Sequence, residues 1–272
     1  MSIGAGFLYD ATGFSAAFAL TLGIAIAMAL AAARVPDIAR ADLHGAVPAK
    51  DVPDDIEAPV VPQPTRPWLG SAGVALRVAP RLRGVLVAVM LVNITIISGF
   101  TYLPLRLGDL GSPPSDVALA AGVSAFAEIP AMLVAAMVAR RIGLRGMFVS
   151  SALIYGAATS SWILLDSPAV IIATRAITGV AFAWVLVCVV LTIARLLPGE
   201  LQGTGQSLYQ TVAFGIGAIV ANLVGGFLYG GIGHAAVFGL GTLLAIVAAA
   251  MGWFAFPRDG IAATRPAAAG PG

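Results

Sequence analysis

The chain has 272 residues, of which 59% are hydrophobic and only 10% are charged, and its formal net charge is +2. A soluble domain carries about 25% charged residues, so this much apolar surface needs lipid around it. The basic residues are spread along the chain rather than clustered, which argues against a nucleic-acid-binding protein. The one cysteine, Cys188, excludes an internal disulfide.

Seven apolar segments are long enough to cross a membrane, since about 20 apolar residues span the hydrocarbon core. They cover residues 13–33, 84–103, 116–139, 146–165, 168–194, 203–229 and 234–256. Each must be helical, because hydrocarbon offers no partner to a free backbone N–H or C=O. Breakers such as Pro104 and Pro257 mark the predicted ends. The sequence therefore predicts an all-α polytopic membrane protein with seven transmembrane helices.

The chain divides into four regions by composition. Residues 1–34 hold a single predicted transmembrane helix, and residues 84–257 hold the other six. Residues 35–83 are rich in proline and in charges of both signs, which is typical of a flexible polar linker. A short interfacial helix is predicted within this linker at residues 68–78. Residues 258–272 are rich in Ala, Pro and Gly and predict a disordered tail.

The basic residues are distributed very unequally between the two sides of the predicted membrane. Of the 15 Lys and Arg residues, 13 lie on the side of the linker and the C-terminus, Arg106 lies on the other side, and Arg175 falls inside the fifth segment. Basic loops stay in the cytoplasm. We therefore expect a multi-pass protein of the cell (inner) membrane with a cytoplasmic linker and C-terminus and an external N-terminus.

Residues 6–20 and 226–240 read alike when they are aligned without a gap. The matches include Tyr9 with Tyr229, which chance produces less readily than matches of Ala, Gly or Leu. Two unrelated membrane helices of similar composition would explain the pattern. An internal duplication, as in many transporters, also explains it. If the two copies were once equal, five helices are missing ahead of Met1, and the chain is expected to be truncated.

Several short stretches together resemble one family of membrane transporters. They are Arg-Arg-Ile-Gly-Leu-Arg at 140–145, Arg-Ala-Ile-Thr-Gly at 175–179, Leu-Pro-Gly-Glu-Leu-Gln-Gly-Thr-Gly-Gln at 197–206, and the Gly-Phe-Leu-Tyr sequences at 6–9 and 226–229. On these stretches the chain resembles the C-terminal portion of a major facilitator superfamily transporter, from helix six to helix twelve. Ala-Glu-Ile-Pro at 127–130 and Gly-Gln-Ser-Leu-Tyr at 205–209 are similar to its sugar, nucleoside and phenylpropionate proton symporters.

The resemblance implies a role for each of the four regions. Residues 1–34 would be the remnant of an N-terminal half, residues 35–83 the cytoplasmic linker between halves, and residues 84–257 a six-helix C-terminal bundle. The implied partners are the lipid bilayer, a small organic solute, protons, and a missing N-terminal bundle or second copy. No nucleic acid and no cofactor are expected.

Two charged residues inside the predicted spans are the leading candidates for function. Glu128 lies at the centre of the third segment, where a carboxylate is costly and normally faces a cavity or a partner. It is either a proton-carrying or solute-binding acid, or a structural residue bonded to backbone that Pro130 frees. Arg175 is a charge partner for Glu128 or an anchor for an anionic solute. Alternatively, its long side chain extends toward Asp166 or the lipid headgroups.

Four polar residues complete the candidate substrate and proton-coupling set. Asn93 would bind a solute hydroxyl or bridge two helices. Tyr102 would line a cavity or belong to the interfacial aromatic belt. Gln206 and Gln210, four residues apart on one helix face, would contact solute or bond to another helix. Tyr155 and Trp184 are interpreted as packing residues, and the Gly217, Ala221 and Gly225 stripe as an internal packing seam.

Three functions remain open at this point. The first is a solute transporter of the major facilitator type, with proton-coupled symport through Glu128, whose truncated chain would be inactive alone. The second is a non-transporting membrane subunit or regulatory protein derived from a transporter half. The third is a seven-helix receptor or a membrane enzyme. A receptor leaves the repeat unexplained, and no catalytic motif is visible, so no enzyme activity is expected.

Overall fold

The computed structural model describes residues 68–257, and within these residues all regular structure is helical. In chain order the helices are α1 (Trp68–Val78), α2 (Arg81–Asp109), α3 (Pro114–Leu164), α4 (Pro168–Leu196), α5 (Gly199–Gln210), the π-helix π1 (Thr211–Ile216), α6 (Gly217–Gly231) and α7 (His234–Ala255). The short helix α1 confirms the one predicted within the linker. The predicted first span and the C-terminal tail lie outside the described residues.

Five helical stretches of this region are long and apolar enough to cross a membrane. They are α2, α3, α4, the continuous run Gly199–Gly231 formed by α5, π1 and α6, and α7. This confirms a polytopic, all-α membrane protein. Helices suit this environment, because a helix pairs nearly all of its backbone polar groups internally, as hydrocarbon requires.

Helix α3 is two spans joined at a single glycine. Gly143 has φ +74° and ψ 166°, a backbone conformation open to glycine alone. The parts of α3 before and after Gly143 therefore point in different directions. We call these arms α3N (residues 114–142) and α3C (residues 144–164). Both arms pack against α4. In α3N, Ser124 lies against Gly179 of α4. In α3C, Leu144 accepts a hydrogen bond from Cys188 of α4, and Trp162 donates one to Thr174 of α4.

These contacts show that α3N and α3C are antiparallel. From Leu144 to Trp162, α3C runs from the C-terminal half of α4 back to its first turns. The described stretches thus make six crossings, because α3 crosses twice, in agreement with the six predicted for residues 84–257. The connection that the sequence predicts at residues 140–145 is in the right place but too long, since helical geometry continues up to Gly143 and resumes directly after it.

The predicted end of the second span at Leu103 was wrong. Helix α2 continues through Pro104 to Asp109. A proline removes only one hydrogen bond of the helix, from its own missing N–H. The buried residues Leu103 and Leu107 continue the apolar face on either side of it, so packing offsets the lost bond.

The small-residue stripe of α6 is an internal packing seam, as the sequence predicts. Gly217, Ala221 and Gly225 are all buried. A methyl group at Gly217 would lie 3.8 Å from the carbonyl oxygen of Met90 on α2, and one at Gly225 would overlap the ring of Tyr102. The glycines therefore let α6 approach α2 closely.

One arginine closes the bundle at the end where α7 finishes. Arg145, at the start of α3C, donates from Nε and Nη2 to the carbonyl oxygen of Phe256 at 3.1 and 3.0 Å. Its guanidinium lies 5.5 Å from the ring centre of Trp253. Arg145 thus provides a partner for the carbonyl of the residue that caps α7, while Arg140 and Arg141 stay exposed.

Candidate functional site

Glu128 lies in the middle of the α3N span. It is 14 residues after Pro114 and 15 residues before Gly143, so it is about 20 Å along the helix from either end. The side chain is half-buried, and the Ser124 hydroxyl lies 3.4 Å from its Oε1 atom. Within residues 68–257, this weak contact from its own helix is the hydrogen bond that the Glu128 carboxyl group makes.

Arg175 is buried inside the bundle with only 3% of its surface exposed. Its guanidinium carbon lies 4.8 Å from the ring centre of Phe100 and 6.0 Å from that of Trp162. Its Nη1 donates to the Thr178 hydroxyl at 3.2 Å. Two aromatic faces and one hydroxyl thus hold a cation in place within the membrane.

The alternative interpretation, in which Arg175 extends toward Asp166, was wrong. Asp166 instead accepts a hydrogen bond from Arg106 at 2.6 Å and forms an ion pair with it. The Asp166 side chain is 82% exposed, so this pair marks the end of the bundle where α3 turns into α4. Arg175 is therefore free of that carboxylate.

The Arg-Ala-Ile-Thr-Gly stretch packs the helix of Arg175 tightly against the helix of Glu128. Thr178 anchors the guanidinium, and Gly179 lies against α3N so closely that a methyl group there would overlap the carbonyl oxygen of Ser124. Ser124 is one turn before Glu128. The glycine thus sets the spacing between the helix with the cation and the helix with the carboxylate.

Tyr155 on α3C is the third member of this group. Its side chain is fully buried, and its hydroxyl has no hydrogen-bond partner among the described residues. Glu128, Arg175 and Tyr155 are close enough to interact electrostatically with one another. Tyr155 belongs to the buried apolar core, which confirms its interpretation as a packing residue, but the sequence did not indicate its interaction with Glu128 and Arg175. The available signal was its position in the middle of a span, because tyrosines are usually enriched at membrane interfaces.

Glu128 and Arg175 interact without a direct ion pair in the described part of the chain. Beside Arg175, between α2 and α3N, lies a hollow of about 60 Å³ that is lined by Gly99, Phe100 and Ala120 among others. Water fits into such a space, whereas an organic solute does not. Proton uptake by Glu128 would change the local charge from neutral to positive, and the buried position strengthens the effect of that change.

Asn93 lies deep in α2 and does not bridge two helices. Its Nδ2 donates to the carbonyl oxygen of Val89 on the same helix at 2.9 Å. Its Oδ1 is buried and has no partner among residues 68–257. Asn93 therefore keeps an unused acceptor inside the bundle, which is a costly arrangement without a ligand or water.

Tyr102 packs α2 against α6. Its hydroxyl donates to the carbonyl oxygen of Asn222 at 2.9 Å, and its ring stacks on Tyr229 at 5.5 Å between centroids. The neighbouring Thr101 hydroxyl contacts the Asn222 side chain at 3.1 Å. Tyr102 is 4% exposed, and the partners of its hydroxyl and its ring lie on α6.

Gln206 and Gln210 lie on α5, away from the Glu128 group. Gln206 is half-buried and Gln210 is exposed at the last position before π1. Neither side chain hydrogen-bonds to another residue of the described region, so the predicted helix–helix bonds are not present there. The π-helix that follows is a type of turn found frequently at functional sites.

Comparison with known proteins identifies the family of the chain. The model of the MFS_1 like family matches residues 1–240. The chain is also similar to a maltose permease of Geobacillus stearothermophilus, with 29% identity over 147 residues. That match covers 54% of this chain and 37% of the permease, so the chain spans little more than a third of that relative's length. Because the family model covers most of its length, the chain belongs to the MFS_1 like family of the major facilitator superfamily.

Proposed function

We propose that this chain is part of a transporter that carries a small organic solute across the cell membrane together with protons. The observation that carries the proposal is Glu128, a half-buried carboxyl group at the centre of a span beside the buried cation Arg175. Ionisable residues inside membranes mark ion and substrate pathways and proton relays. Family membership supports the transport class, and the Glu128 group supports proton coupling.

The proposed coupling uses the fixed charge of Arg175. With Glu128 ionised, the two charges offset each other within the bundle. With Glu128 protonated, the charge of Arg175 stands alone, which favours a different arrangement of the surrounding helices. Alternation between the two states, as one bundle rocks against another, would move a proton and a solute together.

The proposed solute is a small molecule rich in hydroxyl groups. The similarity to a maltose permease supports this class. So do the buried Asn93 Oδ1 and Tyr155 hydroxyl, which lack partners among residues 68–257 and would pair with solute or water during transport. Because the hollow beside Arg175 is too small for a sugar, the solute would bind between this bundle and a second one, which the linker at residues 35–83 would join.

Accumulation of a labelled sugar by cells that express the protein from its full gene tests the proposal. Glu128→Gln should abolish accumulation driven by a proton gradient, since the amide cannot release a proton, while exchange of internal for external sugar persists. Glu200→Gln is the matched control, because Glu200 is exposed in the first turn of α5.

Two results would contradict the proposal. Unchanged accumulation by Glu128→Gln removes this residue from the coupling. Absence of sugar uptake and exchange by the wild type, in membranes that contain the folded protein, would favour the non-transporting subunit over a sugar transporter.

A further inference from the structure

An apolar groove of about 350 Å³ lies between α2, π1, α6 and α7. Ile94 and Ser98 line it from α2, Val220 and Val224 from α6, and Leu240 and Leu244 from α7. Ser98 supplies its one polar side chain among the residues that the structure describes. The volume falls within the range of about 300–1,000 Å³ that is typical of small-molecule sites.

The groove is separate from the Glu128 group, because the two lie on opposite faces of α2. Met90, Ile94 and Ser98 line the groove at a spacing of four residues. Gly99, Leu103 and Leu107 line the hollow beside Arg175 at the same spacing. At 3.6 residues per turn, the middle residues of the two sets, Ile94 and Leu103, point in directions about half a turn apart around the axis of α2. A ligand in the groove would therefore not touch Arg175.

The position of the groove indicates what fills it. Its lining comes from the central turns of α2 and from two other stretches that cross the membrane, so it lies at the depth of the hydrocarbon core. Ile216, Val220 and Val224 at its edge are 37–47% exposed, so the groove opens at the side of the described bundle. Water does not occupy a hollow that lacks polar partners, and an unfilled hollow loses dispersion contacts.

We propose that this groove is a binding site for one acyl chain of a membrane lipid. Lipid chains surround the protein at this depth, and an extended chain is the apolar molecule that can enter sideways while its headgroup stays at the interface. The inference goes beyond solute transport and does not depend on the role of Glu128.

A phospholipid with a photoreactive diazirine in its acyl chain tests the proposal. The full protein is illuminated in membranes that contain this lipid, purified and mapped by mass spectrometry. Adducts should concentrate on groove residues of α2, α6 and α7. They should exceed those on Phe126 and Leu133 of α3N, although these side chains are 78% and 80% exposed.

Two neighbouring residues of α6 provide the matched variants. Val224→Trp fills the mouth of the groove and should eliminate the groove adducts. Leu223→Trp adds the same ring at a side chain that is 71% exposed and does not line the groove, so it should leave them unchanged. Val220→Phe is a smaller filling substitution that should also eliminate them if Val224→Trp fails to fold, as judged by size-exclusion chromatography.

Adducts that follow exposure alone, or that disappear equally in Val224→Trp and Leu223→Trp, would overturn the proposal. A photoreactive amino acid in place of Leu244 tests the other occupants. A crosslink to lipid is expected. A crosslink to residues 1–67 or to a second copy of the chain would show that protein fills the groove instead.

Discussion

Tyr155 places a phenol hydroxyl in the interior of the bundle without a hydrogen-bond partner in the described region. Such a group costs about 1–3 kcal/mol of stability. The neighbouring Arg175 has Thr178 and two aromatic rings around it, and Asn93 keeps a free acceptor. Asn93 and Tyr155 both lie near the centre of a span, where a passing solute or proton could use their unsatisfied polar atoms.

Removal of the Tyr155 hydroxyl tests whether this residue serves packing alone or also serves transport. Tyr155→Phe should keep or raise the thermal stability of the purified protein, because it removes a buried polar atom that has no partner. The same change should reduce sugar accumulation if the hydroxyl serves transport. Tyr229→Phe is the control, since it removes a hydroxyl that donates to Asp109 and should lower stability. Unchanged sugar accumulation in Tyr155→Phe would show that Tyr155 serves packing alone.

At the scale of helices, close approach of backbones holds the bundle together. Gly179 brings α4 against α3N, and Gly225 brings α6 against the ring of Tyr102 on α2. Helix association in lipid depends on such packing, because lipid tails are as apolar as the side chains they would release. Gly179 thus also sets the spacing between the helices that carry Arg175 and Glu128.

Gly225→Ala tests the α2–α6 seam. The added methyl group would overlap the Tyr102 ring, and overpacking of this kind costs about 1–3 kcal/mol. We expect a lower midpoint in thermal unfolding of the detergent-purified protein. Gly226→Ala is the neighbouring control, because its methyl group would lie 3.6 Å from the Tyr102 hydroxyl, at ordinary contact distance. An equal loss in both variants would show that α6 does not pack on α2 as described.

Helix boundaries show where reasoning from sequence succeeds and fails. Length and hydropathy predicted the spans, because only a continuous helix satisfies its backbone within lipid. The turn between α3N and α3C was predicted over residues 140–145, but its length was wrong, because one glycine at positive φ is enough to make it. Pro104 was predicted to end the second span, although buried leucines on both sides of it continue the apolar face of α2.

The candidate site was predictable in part for a similar reason. Glu128 and Arg175 stand out in sequence, because charges inside spans are rare. Tyr155 does not, since an aromatic residue in an apolar run resembles any packing residue. Its proximity to Glu128 and Arg175 depends on how α3C and α4 pack together, which no local pattern reveals.

At the scale of the whole molecule, the predicted orientation awaits a direct test. Ser167 precedes α4 and Glu200 begins the next span, both exposed and at opposite ends of α4. With a membrane-impermeant maleimide, Ser167→Cys should react in intact cells and Glu200→Cys only after lysis. Cys188 is buried and provides a low background. The reverse labelling pattern would contradict the orientation that the basic residues predict.

The account as a whole depends on Glu128 as the group that binds the transported proton. The most direct measurement is the pH of a weakly buffered cell suspension when sugar is added to cells that express the full gene. The wild type should make the medium alkaline as protons enter with the sugar, and Glu128→Gln should not, although it still exchanges sugar. Equal alkalinisation by the wild type and Glu128→Gln would contradict the account.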